Sequence, residues 1–175
     1  MKQFGGPALF LDRNDINTDE IIPAKYLTES TKEALRPYML EDLQLEGFDP
    51  RSPATAAARV IVTRANFGCG SSREHAVWVL EVNGINAVIA PSFARIFRQN
   101  MFNCGLLAIE LPETDIDRLF ALSGLAALDI DPEASTITAR DHDGRVLATL
   151  DFTVQPFDRE LVRAGGWLAY ADKKY

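Results

Sequence analysis

Cysteine and histidine are scarce in this chain, two of each in 175 residues. Cys69 and Cys104 belong to no CxxC pair, and neither sits at ligand spacing from His75 or His142. A self-contained zinc or iron–sulfur centre needs about four such ligands, or about three with one position open to substrate. The chain by itself is therefore expected to hold no metal, and its two isolated thiols read as small apolar residues rather than as a disulfide. Basic runs are missing too: the formal net charge is −7, and Lys173-Lys174 is the one pair of adjacent cations. Such a surface has little to offer nucleic acid or an anionic membrane. No apolar run approaches the roughly 18–20 residues of a membrane-spanning helix. The opening, Met1 to Pro7, is too broken by Gly5, Gly6 and Pro7 to form the apolar centre of a signal peptide. The expectation is a soluble, cytoplasmic chain.

What is present is enough apolar residue, 47% of the chain, for one well-buried core, and residues 1–175 read as a single domain. Ala8-Leu-Phe-Leu11 is followed by the polar run Asp12 to Glu20 and then Ile21-Ile22-Pro23, which reads as strand, solvated acidic loop and short strand. The spacing of Asp12, Asp15 and Asp19 lacks the glycine that a calcium loop requires. Thr28 to Leu45 has helical composition with a break at Pro37. The middle of the chain then alternates: strand Arg59 to Thr63, helix Ser72 to Val82, strand Ala87 to Ala90, helix Phe93 to Phe102 capped by Ser92 and stopped at Gly105, strand Leu106 to Leu111. That order predicts a parallel sheet. A short helix is expected from Asp115 to Leu122. Ser135 to Arg140 and Arg145 to Phe152 flank an Asp-Gly turn and predict a β-hairpin, and a helix from Asp158 to Ala164 stops at Gly165-Gly166. The fold class is α/β, mostly parallel, with added antiparallel strands closing or bordering the sheet in a barrel-like layer.

The chemistry concentrates where the strand ending at Thr63 runs through Asn66-Phe-Gly-Cys-Gly-Ser-Ser-Arg-Glu-His75 into a helix. A Gly-rich turn at the carboxyl end of a parallel strand is where open α/β sheets bind ligands. Gly68 and Gly70 permit positive φ and let successive N–H groups converge on an anion. The helix start adds unpaired donors and partial positive charge, and Arg73 adds a planar fork suited to a carboxylate. The bland reading stays open beside this one: Ser71-x-x-Glu74 also matches a capping box, with Ser71 satisfying a backbone donor. His75 reads as a structural partner. The run is not G-x-S-x-G, and it lacks the Gly-Lys-Ser/Thr of a P-loop and the third glycine of a dinucleotide fingerprint. Cys69 beside a helix start invites a thiolate reading, but no base accompanies it.

Asn66 to His75, followed by Ala90-Pro-Ser-Phe-Ala-Arg-Ile-Phe97 and preceded by Asp15-Ile-Asn-Thr-Asp-Glu-Ile-Ile-Pro23, resembles the small subunits of 3-isopropylmalate dehydratase and homoaconitase. These correspond to the mobile fourth domain of aconitase. The resemblance implies a swivelling β/β/α fold that docks on a large subunit carrying a 4Fe–4S cluster with one open iron, which acts as Lewis acid on the leaving hydroxyl. It further implies Ser71 as an alkoxide base on the carbon-bound proton, with Ser72, Arg73 and the turn at Gly70 contacting a small dicarboxylate. In relatives the loop after Ile-Ile-Pro contacts the substrate side chain, and the corresponding stretch is Lys25-Tyr-Leu-Thr-Glu29. Thr28-Glu29 departs from the family patterns, and a carboxylate at Glu29 opposes any further substrate carboxylate. The expected substrate is isopropylmalate, with methyl-substituted (citramalate-type) malates and homoaconitate as alternatives. A non-catalytic anion-binding regulatory module is the alternative from a different class.

Overall fold

The computed structural model describes residues 3–175. Among these residues, eight strands form two four-stranded sheets. One is wholly parallel, with β2 (Ala8–Leu11), β3 (Val60–Thr63), β4 (Ala87–Ala90) and β5 (Leu107–Glu110) adjacent in chain order. The other is wholly antiparallel, in the order β1 (Phe4–Gly6), β6 (Leu125–Asp131), β7 (Thr136–Asp141), β8 (Val146–Asp151). The antiparallel strands thus form a sheet of their own, reached from the parallel one across Pro7.

The two sheets differ in their side-chain pattern for a physical reason. Every residue of β3 and β4 is buried, as expected of parallel strands covered on both faces. In the second sheet, burial alternates. Leu128, Ile130, Ile137, Ala139, Ala148 and Leu150 join the core while Asp129, Asp131 and Thr149 face outward. Helices α4 (Glu74–Val82) and α5 (Arg95–Asn103) carry the chain from β3 to β4 and from β4 to β5. After β5, helix α6 (Glu113–Ala121) leads into the second sheet, and α7 (Pro156–Ala164) and α8 (Trp167–Lys174) close the chain.

One buried side chain ties the sheets together. Asn86, 6% exposed, accepts from the Gly5 N–H at 2.8 Å through Oδ1 and donates to the Gly5 carbonyl at 3.0 Å through Nδ2. Its amide imitates a neighbouring strand, so Gly5 is paired by β6 on one side and by Asn86 on the other.

Several local expectations are corrected. Ile21-Ile22 is not a strand: α1 (Thr18–Ile21) forms there because Asn17 and Glu20 build a reciprocal capping box, and only Ile22 is extended, as Pro23 requires. Glu20 is further held by Arg13. The helical stretch after Thr28 shrinks to α2 (Lys32–Leu35) and a 3-10 turn at Arg36–Tyr38, ended by Pro37. A further short helix, α3 (Pro53–Ala57), precedes β3. The hairpin at 136–151 is joined by β6, which the four-residue turn Pro132 to Ser135 connects to β7, and β6 in turn pairs with β1. Beyond the left-handed Gly165, where α7 ends as expected, the chain resumes as α8.

Replacing Asn86 by Leu strands the Gly5 donor and acceptor and is expected to cost about 2–3 kcal/mol in urea unfolding. Asn86→Asp keeps the acceptor and loses the donor, so it recovers only part of that stability. For Glu20, burial disfavours the charge, but the bonds from Arg13 and the Asn17 backbone outweigh it and hold the carboxyl below its ordinary value of 4.5. A depressed carboxylate contributes stability above its unfolded pKa and loses it as pH falls through the native one. The penalty of Glu20→Gln is therefore largest near neutral pH and shrinks on acidification. Unfolding titrations across pH check this, and a pH-independent penalty would overturn it.

Candidate functional site

The loops leaving the carboxyl ends of β2, β3 and β4 are stitched to one another by main-chain hydrogen bonds. Gly68 N–H donates to the Ile16 carbonyl at 2.8 Å, and Thr18 N–H to the Cys69 carbonyl at 2.9 Å. On the other side Ala94 N–H donates to the Phe67 carbonyl at 3.0 Å, and Phe67 N–H to that of Ser92 at 3.2 Å. These bonds make short parallel bridges, Asn17 with Cys69 and Phe67 with Phe93, that extend the sheet into its loops. The three aspartates of the acidic loop are exposed, as a solvated loop requires, and they also fasten it to its neighbour. Asp12 pairs with Arg64 at 2.7 Å, Asp15 accepts from the Asn66 amide at 2.9 Å, and Asp19 pairs with Arg73.

The Gly-rich turn owes its shape to two close approaches. Gly68 has φ +83°, and a Cβ there would stand 2.2 Å from the Phe97 ring, so only glycine lets α5 pack against the turn. Further along, Thr18 Oγ1 donates to the Ser71 carbonyl at 2.8 Å, and Arg73 is extended at φ −142°, ψ 122°. The helix consequently begins at Glu74, two residues later than the sequence suggests, and without a side-chain cap. The capping box at Ser71 and Glu74 is therefore not formed. Its serine is too far ahead of the first helical turn. The hydroxyls of Ser71 and Ser72 are exposed and have no hydrogen-bond partner among the described residues.

A cleft of about 250 Å³ opens beside this turn. Thr18, Gly68, Gly70, Ser72 and Arg73 line it together with Ala94 to Phe97. Helix α5 also starts uncapped, because Ser92, the expected cap, instead accepts from the Asn66 N–H at 2.9 Å and Ala94 takes the N-cap position. Two helix N-termini with unpaired donors thus face one small space, a field suited to anions. Larger hollows of about 560 Å³ against β1 and β6 and about 430 Å³ between α4 and α8 include none of residues 66–73.

Of the residues singled out from the sequence, the structure brings Gly70, Ser72 and Arg73 together in the cleft. Ser71 lies beside it, exposed. Thr28 and Glu29 do not line it. They follow the 3-10 turn at Ala24–Tyr26, and the Glu29 carbonyl lies 3.3 Å from His75 Nε2, so this loop abuts the first turn of α4 instead. His75 is structural, its ring 4.7 Å from that of Trp78. Thr18, Asp19 and Arg95 were missed as site residues, although they stand inside the two flanking motifs. Cys69 is half-buried, and burial together with the charge of Asp15 pushes its thiol upward, the opposite of an activated nucleophile. Cys69 and Cys104 form no disulfide. Among the described residues no group of three or more His, Cys, Asp or Glu is placed to hold a metal ion, and no helix is long and apolar enough to cross a membrane.

Residues 10–114 match the aconitase C-terminal domain family. The chain is 44% identical over 159 residues to the 3-isopropylmalate dehydratase small subunit of Deinococcus deserti, covering 90% of this chain and 81% of that one. It is 38% identical over 168 residues to the corresponding subunit of Novosphingobium aromaticivorans, covering 94% and 80%. The crystal structure of 3-isopropylmalate dehydratase from Methanocaldococcus jannaschii superposes with a TM-score of 0.76 at 32% identity, covering 99% of this chain and 95% of that one. With its mixed α/β fold, its Gly-rich turn at the sheet edge and these relatives, the chain belongs to the aconitase C-terminal domain family, among the 3-isopropylmalate dehydratase small subunits.

Proposed function

We propose that this chain is the small subunit of a heteromeric hydro-lyase that interconverts 2-isopropylmalate and 3-isopropylmalate by dehydration and rehydration, in the cytoplasm, as a step of leucine biosynthesis. The observation that carries this reading is the turn from Gly68 to Arg73, which presents two serine hydroxyls and a guanidinium beside two uncapped helix starts. The substrate class is supported by the names of the relatives.

The residues divide the work by their chemistry. Ser71 removes the proton from carbon and returns it on rehydration. A serine hydroxyl is far too weak an acid to serve as a base unless its anion is stabilised, and the helix N-termini and Arg73 supply that field. Ser72 and Arg73 hold a substrate carboxylate. The Arg73 guanidinium has five N–H donors, enough to keep Asp19 and a carboxylate together, so Asp19 orients the fork rather than competing for it. Thr18 fixes the backbone that presents Ser71. The family's iron–sulfur cluster is assigned to a large subunit. Two cysteines cannot supply its ligands, and the chemistry of this chain is proton transfer and carboxylate binding.

Anaerobic reconstitution with a cluster-bearing large subunit is expected to give hydration of isopropylmaleate, while the isolated chain is inactive. Ser71→Ala should lower kcat by about 10²- to 10⁴-fold with the complex still assembled. Full activity of that variant would remove Ser71 as the base. Arg73→Lys replaces a fork by a point charge and is expected to reduce kcat/KM by roughly ten- to a hundredfold. Carboxylate binding by the lone chain, with no turnover by any reconstituted complex, would favour a non-catalytic anion-binding module instead.

A further inference from the structure

The proposed substrate carries two carboxylates, whereas the Ser71-Ser72-Arg73 triplet offers one guanidinium. A second faces the same cleft. Arg95, the first residue of α5, lines it together with Arg73. The two arginines are held very differently. Arg73 is ion-paired with Asp19, while the Arg95 side chain makes no ion pair or hydrogen bond among the described residues. The chain has 25 acidic against 18 basic residues, so anions to neutralise it are plentiful elsewhere.

Arg95 is solvent-exposed, and no charge in its own helix turn offsets it. A cation in the first turn of a helix lies at the positive end of the dipole. The first turn of α4 has Glu74 to offset this end, but the first turn of α5 contains no acidic residue. Neither helix has a side-chain cap. The wall formed by α5 therefore lacks negative charge, and a bound anion is the natural means of supplying it. The contact of the Phe97 ring with Gly68 fixes this wall against the turn, which holds Arg95 and Arg73 at one small cleft rather than on independent surfaces.

We infer that Arg95 is a second carboxylate anchor of the cleft, binding one end of the dicarboxylate while Arg73 and Ser72 bind the other. The inference rests on the hydro-lyase reading and adds to it a binding residue outside the triplet. Arg95 takes no part in proton transfer, so its contribution is to substrate binding and orientation.

The test uses the complex reconstituted with the large subunit, carrying Arg95→Gln or Arg95→Lys. Arg95→Gln is expected to raise KM for isopropylmalate by roughly ten- to a hundredfold, with a smaller change in kcat. Arg95→Lys should restore part of the loss, since it keeps the charge without the fork. As a direct probe of carboxylate recognition, the parent complex should be inhibited far more weakly by one of the two substrate monoamides than by the diacid, and Arg95→Gln should erase that preference. An unchanged KM overturns the inference. So does weakened association with the large subunit in sedimentation, which would place Arg95 in the subunit interface. If the parent complex turns over no substituted malate, the hydro-lyase reading itself fails and takes this role with it; that result is read from the parent alone.

Discussion

The site depends on a backbone constraint: three loops at one edge of the parallel sheet are held in register by hydrogen bonds between their main chains. Gly68 stands at the junction, donating to Ile16 on one side while Phe67, its neighbour, exchanges bonds with Ser92 and Ala94 on the other. The absence of a Cβ lets the Phe97 ring close on it. Any side chain at that position would push α5 away from the turn and widen the cleft, because a packed interior accommodates extra volume by moving its walls. The positions of Ser71, Ser72, Arg73 and Arg95 all follow from this one contact and the bonds around it.

Charge is organised around the same junction. An acidic chain would be expected to keep its carboxylates in solvent, where isolated surface pairs contribute little. Asp12, Asp15 and Asp19 are exposed as well, yet they reach across from the β2 loop to Arg64, Asn66 and Arg73 on the β3 loop. Their order along the chain matches that of their partners, so the two loops are fastened at three successive points. The stability of each pair is modest, but together they fix the orientation of one loop against the other. The Asn17–Glu20 box adds to this by turning Thr18 and Asp19 into a helical segment that faces the Gly-rich turn.

How far the site could be read in advance depended on the range of the interactions involved. The parallel strands were legible because Val60 to Thr63 and Ala87 to Ala90 are continuous apolar runs, and the Gly-rich turn because its glycines and serines are local signals. The start of α4 was misjudged because the deciding bond, from Thr18 to the Ser71 carbonyl, joins residues 53 apart. Ser92 failed as a cap for the same reason: Asn66, 26 residues away, claims its hydroxyl. β1 escaped notice because two of its three residues are glycines, and its pairing is supplied by β6 and Asn86. Each of these errors came from a local rule that a distant partner overrode.

Under the proposed reading, the openness of the cleft is itself informative about mechanism. A serine anion exposed to water gains little from nearby dipoles, since the solvent screens them. The fields of the helix starts and of Arg73 become strong only when water is excluded, because the same charges act several times more strongly at low dielectric. Nothing on this chain covers Ser71 or Ser72 among the described residues. Their environment must then be completed by a surface that closes over them, and in this reading the large subunit provides it. Proton abstraction is thereby restricted to the assembled state. The isolated chain has the geometry for carboxylate recognition but lacks the dielectric for a serine base, so binding and catalysis are expected to separate at the step of assembly.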